Sequence, residues 1–77
     1  MDIPNPNRLK LTKREDGYTF STIRSLVNWY GAYETAIIHN GNIRIAEGYD
    51  TEEEALKGHE KYVNMTADEI AKIDFIG

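Results

Sequence analysis

The sequence predicts an α+β fold: an antiparallel sheet of three or four strands, packed on one helix over residues 52–63, plus a short C-terminal helix. Three observations predict it. Short runs rich in β-branched and aromatic residues fill the first two thirds of the chain, as strands do. Asp16-Gly17 and Asn40-Gly41 interrupt these runs, and such pairs are strong hairpin signals. Thr51 followed by Glu52, Glu53 and Glu54 then has the composition of a helix start. At 77 residues the chain is long enough for one small domain.

Taken in order, "IPNPN" holds residues 1–7 extended through its two prolines. "RLKLTKR" alternates apolar and charged residues, the pattern of a half-exposed strand. Asp16-Gly17 predicts a type I′ turn with positive φ at both central residues. "YTFSTIRSLV" is the returning strand, although Ile23, Leu26, Val27 and Tyr30 are also spaced as a helix would space them. "NWYG" is a connection.

"AYETAIIHNGNIRIAEGY" is the clearest hairpin. With a two-residue turn at Asn40-Gly41, Ala36, Ile38, Ile43 and Ile45 share one face and are expected to form core. The same register sets Glu34 against Glu47, an unfavourable like-charge pair. A three-residue loop would shift the pairing and remove the clash, and the sequence leaves both registers open.

In the helix from Thr51, Thr51 and Glu54 form a capping box, and Glu53 and Lys57 an i,i+4 pair. Thr66 and Glu69 form a second box, with Met65 placed to staple onto Ile70. Residues 64–77 thus read as a C-terminal extension that carries the short helix and ends in "DFIG".

Composition narrows function mainly by exclusion. No run approaches the ~20 apolar residues of a membrane span, and "MDIPNPNRLK" lacks the apolar stretch of a signal peptide. Cysteine is absent, which removes disulfide and thiolate chemistry. Net charge is −4, split as +2 over residues 1–30 and −6 over residues 31–77. The sequence pI near 5.0 argues against general nucleic-acid binding, which needs a basic footprint. A domain this small buries only about 60% of its unfolded surface, so a partner or a second copy of the chain would add stability.

The candidate chemistry centres on His59. At 100° per residue the apolar residues Ala55, Leu56, Tyr62 and Val63 form an arc centred on it. It therefore points at the sheet, with Gly58 allowing close approach. The main reading is a core-facing histidine bonded to a Ser, Thr, Tyr or backbone group. The rival is a proton-transfer or ligand-binding group working with Ser21, Thr22 and Glu34. The chain has no HxxxH or HExxH spacing, and with no cysteine either, no metal site or cofactor is expected. No catalytic set assembles from these residues. Lys10, Lys13 and Arg14 read as protection of a strand edge. Trp29, Tyr30 and Tyr33 cluster in a connection rather than an element interior, and aromatics dominate interface hot spots. Asp50, Glu52 and Glu53 form a second, acidic surface.

"FSTI", "YETAII" and "YDTEEEALKGHEKYV" together resemble a widespread group of small bacteriophage and prophage proteins. The pattern is carried here by Ser21, Thr22, Tyr33, Glu34, Thr35, Tyr49, Thr51, Glu54, Ala55, Gly58 and His59, and spans roughly Phe20 to Val63. Members of that group often carry a longer insert where this chain has "RSLVNWYGA", and often end near the equivalent of Val63. The resemblance implies a phage-associated protein of the host cell cytoplasm and no particular activity. The expected function is that of a non-enzymatic protein that binds and inhibits a host bacterial protein, plausibly an antiphage-defence component. A small-molecule or nucleotide-sequestering protein with a site near His59 and a virion-assembly protein are the alternatives.

Overall fold

The structure, a computed structural model, describes residues 7–77. The extended segment expected over residues 1–7 therefore lies, apart from Asn7, outside the described residues. Four strands, β1 (Arg8–Lys13), β2 (Thr19–Arg24), β3 (Tyr33–His39) and β4 (Asn42–Tyr49), are followed by helices α1 (Glu52–Val63) and α2 (Ala67–Ala71). The sheet is an antiparallel meander in the order β1-β2-β3-β4, and α1 packs against all four strands on one face. The α+β architecture is the one expected.

The two hairpin turns differ. Asn40 and Gly41 both have positive φ, 53° and 80°, and His39 pairs with Asn42, so a two-residue type I′ turn sets this register. At the first hairpin only Gly17 is left-handed, at φ 94°. The Arg14 N–H bonds to the Tyr18 carbonyl and the Gly17 N–H to the Arg14 carbonyl. This is a three-residue loop with a glycine bulge, not the expected type I′ turn.

The expected clash of Glu34 with Glu47 does not arise. Pairing follows the Asn40-Gly41 register as far as Ala36 opposite Ile45, and a bulge then places Glu47 opposite Thr35 and Gly48 opposite Glu34. The expected core face is also corrected. Ala36, Ile38, Ile43 and Ile45 lie on the face away from α1, and Ile43 is 65% exposed. The helix instead covers the alternate set, Thr35 and Ile37 of β3 beside Thr22 and Phe20 of β2. Phe20, Ile37, Ala46, Tyr62 and Ile70 form the buried cluster, with Met65, Ile73 and Phe75 packed around it. The helical alternative for residues 22–30 fails because β2 ends at Arg24 and the chain then enters a loop.

Both helices start at the expected threonines. Thr66 and Glu69 form a complete capping box. Thr51 accepts from the Glu54 N–H, but the Glu54 carboxylate takes the threonine hydroxyl hydrogen, so only half of that box forms. The basic residues of the first hairpin reach the helix. Lys10 pairs with Glu60. Arg14 pairs with Asp16 and donates to the Val63 and Met65 carbonyls, which closes the C-terminal end of α1. Beyond α2, the Ile45 N–H bonds to a main-chain oxygen of Gly77 and the Ile76 N–H to the Ile45 carbonyl, so the C-terminal segment lies along the outer edge of β4.

Candidate functional site

His59 is fully buried, and both ring nitrogens are engaged. Nδ1 lies 2.7 Å from the Thr22 hydroxyl and Nε2 lies 2.9 Å from the Thr12 hydroxyl. The Thr22 hydroxyl is 2.7 Å from that of Thr35, which accepts from the Tyr49 hydroxyl at 3.1 Å. A chain of hydrogen bonds thus joins β1, β2, β3 and β4 to α1 beneath the helix. Each hydroxyl donates along this chain if the imidazole is neutral with its proton on Nε2, donating to Thr12.

Burial holds the His59 pKa below its ordinary value of 6.5, and the neighbouring Lys10 acts in the same direction against Glu60. Burial thus favours the neutral imidazole at pH 7. Burial likewise pushes the Tyr49 hydroxyl up to about 12, leaving it a hydrogen-bond donor. Gly58 makes room for this tyrosine: a Cβ there would sit 2.1 Å from the Tyr49 hydroxyl. The Tyr62 hydroxyl, also raised to about 12, donates to Glu47, which pairs with Lys61 at 2.8 Å.

The four residues considered as a ligand site do not converge. Thr22 and His59 meet under the helix, whereas strand alternation turns Ser21 and Glu34 to the opposite face. Glu34 is partly desolvated there, which raises its pKa. The expectation that His59 bonds to hydroxyl groups in the core is met. Sequence reasoning missed Thr12, Thr35 and Tyr49 as members of the same chain. Among the described residues no group of three or more His, Asp or Glu side chains is arranged to hold a metal ion.

The second region is the β2–β3 loop, residues 25–32. The Ser25 N–H bonds to the Ala32 carbonyl at 2.9 Å, and the Asn28 N–H to the Ser25 hydroxyl at 3.0 Å. Asn28 and Gly31 take positive φ, and a Cβ at Gly31 would lie 2.7 Å from the Tyr49 carbonyl oxygen. The Tyr30 backbone sits against Gly48, where a Cβ would collide with it. The loop is therefore built onto the sheet. From it Leu26, Val27 and Trp29 project with 80%, 60% and 78% of their surface exposed.

Of the three aromatics singled out, only Trp29 projects fully. Tyr30 is half-buried and anchors the loop, and half-buried Tyr33 lies in β3 with Arg24 over its ring. Asp50, Glu52 and Glu53 are exposed at the β4–α1 junction, at the same end of the molecule. Between these surfaces Arg8, Arg24, Glu52 and Leu56 help line a cleft of about 370 Å³.

No protein-family model, curated protein or solved structure matches this chain. Fold and geometry define a small α+β domain with a structural histidine and an apolar loop held out from one end. Among the described residues no helix is long and apolar enough to cross a membrane.

Proposed function

We propose that this chain is a non-enzymatic phage or prophage accessory protein that binds and inhibits a host bacterial protein, with an antiphage-defence component as the target class. One observation carries the binding role: Leu26, Val27 and Trp29 are held in water on a loop whose base is hydrogen-bonded and seated on β4. Exposed apolar clusters of this kind mark contact surfaces, and tryptophan is the residue most enriched at their energetic centres. A preorganised loop also loses little entropy on docking. Side chains that project in this way fit a concave apolar cleft, and the flanking Asp50, Glu52 and Glu53 favour a partner with a basic rim. The phage setting, and with it the host cytoplasm as the place of action, rests on the sequence resemblance. The engagement of both His59 nitrogens by threonines supports the non-enzymatic part of the reading.

The test is affinity capture from lysate of a bacterial host, with a Leu26→Ser, Trp29→Ala variant beside the original. A single host protein enriched by the original and lost by the folded variant is the expected result. Equal capture by both would remove the loop from the interface. Capture of nothing, together with one fixed oligomer across a dilution series, would favour an assembly role.

A further inference from the structure

We propose that the sheet face turned away from α1 is the contact between two copies of this chain, packed sheet on sheet. This surface is distinct from the exposed β2–β3 loop, so the two readings stand or fall separately.

Strand pairing defines the face. One row runs straight across the sheet through Leu11, Ser21, Ala36 and Ile45. The next row towards the Asn40-Gly41 turn sets Ile38 opposite Ile43, and the next row towards the β2–β3 loop sets Ile23 opposite Glu34. An antiparallel sheet with a helix on one face commonly turns polar residues to the other. Here that order is reversed. The outward face carries Leu11, Ile23, Ala36, Ile38, Ile43 and Ile45, whereas the face under α1 includes Thr12, Thr22 and Thr35. Neither helix covers the outward face, because α1 and Ile70 of α2 pack on the other side. The Tyr30 backbone lies against Gly48 and bounds the patch at one corner.

Charge, symmetry and area point to a second copy as the occupant. The middle of the face holds no ionisable side chain that would select a partner of opposite charge, and Lys13 and Glu34 stand at its two ends. A half-turn about an axis parallel to the strands, between β2 and β3, matches the face to itself. Ser21 then meets Ala36 of the second copy, and Leu11 meets Ile45. The small central pair lets the sheets approach to the ~10 Å separation of packed sheets. Four strands ~4.8 Å apart and about six residues long give a footprint of roughly 400 Å² per copy before side-chain relief is counted. Two copies therefore bury on the order of 1,000 Å², where specific interfaces begin. A domain of 77 residues also has much to gain from a second core.

Sedimentation velocity of the full chain, from about 1 to about 500 μM, is the test. The expected result is a monomer of 8.8 kDa in reversible equilibrium with a dimer of twice that mass, with a Kd on the order of 10 μM. Ile43→Lys changes a side chain that is already largely exposed, so the domain should stay folded while the dimer Kd rises roughly tenfold or more. Folded Ile38→Lys should do the same, so the test does not depend on one variant. The Leu26→Ser, Trp29→Ala variant should leave the Kd unchanged. A monomer at every concentration would overturn the proposal. So would a dimer that both lysine variants leave intact, or one that the loop variant abolishes.

Discussion

His59 shows how one residue can be chemically able and yet structurally committed. Its neutral ring is placed in the core by hydroxyls on both sides, and losing either hydroxyl leaves a buried polar atom without a partner. Thr22→Val keeps shape but removes the group that serves both His59 Nδ1 and the Thr35 hydroxyl. It should lower unfolding stability by about 1–3 kcal/mol in urea titration, and Thr22→Ser should recover most of the loss.

The same burial makes stability depend on pH. The folded pKa of His59 lies below its ordinary value of 6.5, so as pH falls past that value the unfolded chain takes up a proton more readily than the folded one. Stability from this source is complete above 6.5 and declines as pH drops towards the folded pKa. Denaturation midpoints should therefore fall between about pH 7 and pH 5.5, before most carboxylates titrate. His39→Gln, remote from this chain of hydrogen bonds, should keep the decline.

At the scale of elements, local chemistry was legible and partner choice was not. The Asn40-Gly41 turn, the threonine at the start of each helix and the inward direction of His59 follow from contacts within a few residues of one another. The buried face of the second hairpin does not. Thr35 with Ile37 and Ala36 with Ile38 are both plausible inner sets, and the choice falls to whichever meets α1. Polar Thr22 and Thr35 occupy that inner face because His59 bonds Thr22 while Thr22 and Tyr49 bond Thr35, and the Thr22–His59 pairing spans 37 residues, which periodicity does not reveal. The bulge in β4, which separates Glu34 from Glu47, has no local signature beyond the clash it removes.

Gly58 can be tested at this scale. In an exposed helix interior, glycine to alanine stabilises by about 1 kcal/mol. Here the added methyl meets the Tyr49 hydroxyl at 2.1 Å and must displace a side chain bonded to Thr35. Gly58→Ala should instead destabilise by about 1–2 kcal/mol once overpacking outweighs propensity, read as a lower urea midpoint.

For the molecule as a whole, the core and the proposed contact surface are divided between different residues. The hydrogen-bonded chain beneath α1 uses Thr22, Thr35, Tyr49 and His59, with Gly58 making room for Tyr49. Thr51 and Glu54 start that helix, and Ala55 is buried in it. These residues make up much of the sequence pattern, and in this structure they are framework. The exposed apolar side chains Leu26, Val27 and Trp29 lie outside that pattern, in the connection between β2 and β3. The aromatic character of this connection was legible in the sequence. Its seating on β4 was not, because the contacts of Tyr30 with Gly48 and of Gly31 with Tyr49 join the loop to a strand distant in the chain.

Trp29 is the only tryptophan, so its fluorescence reports on this loop alone. The most direct measurement is acrylamide quenching of that emission in the native protein, compared with the urea-unfolded chain. A loop that holds Trp29 in water while the domain is folded should give a red, water-like native emission, quenched nearly as readily as in the unfolded chain. A blue-shifted native emission that resists quenching would mean that Trp29 is covered in the free protein. That result would contradict the assignment of this loop as the contact surface.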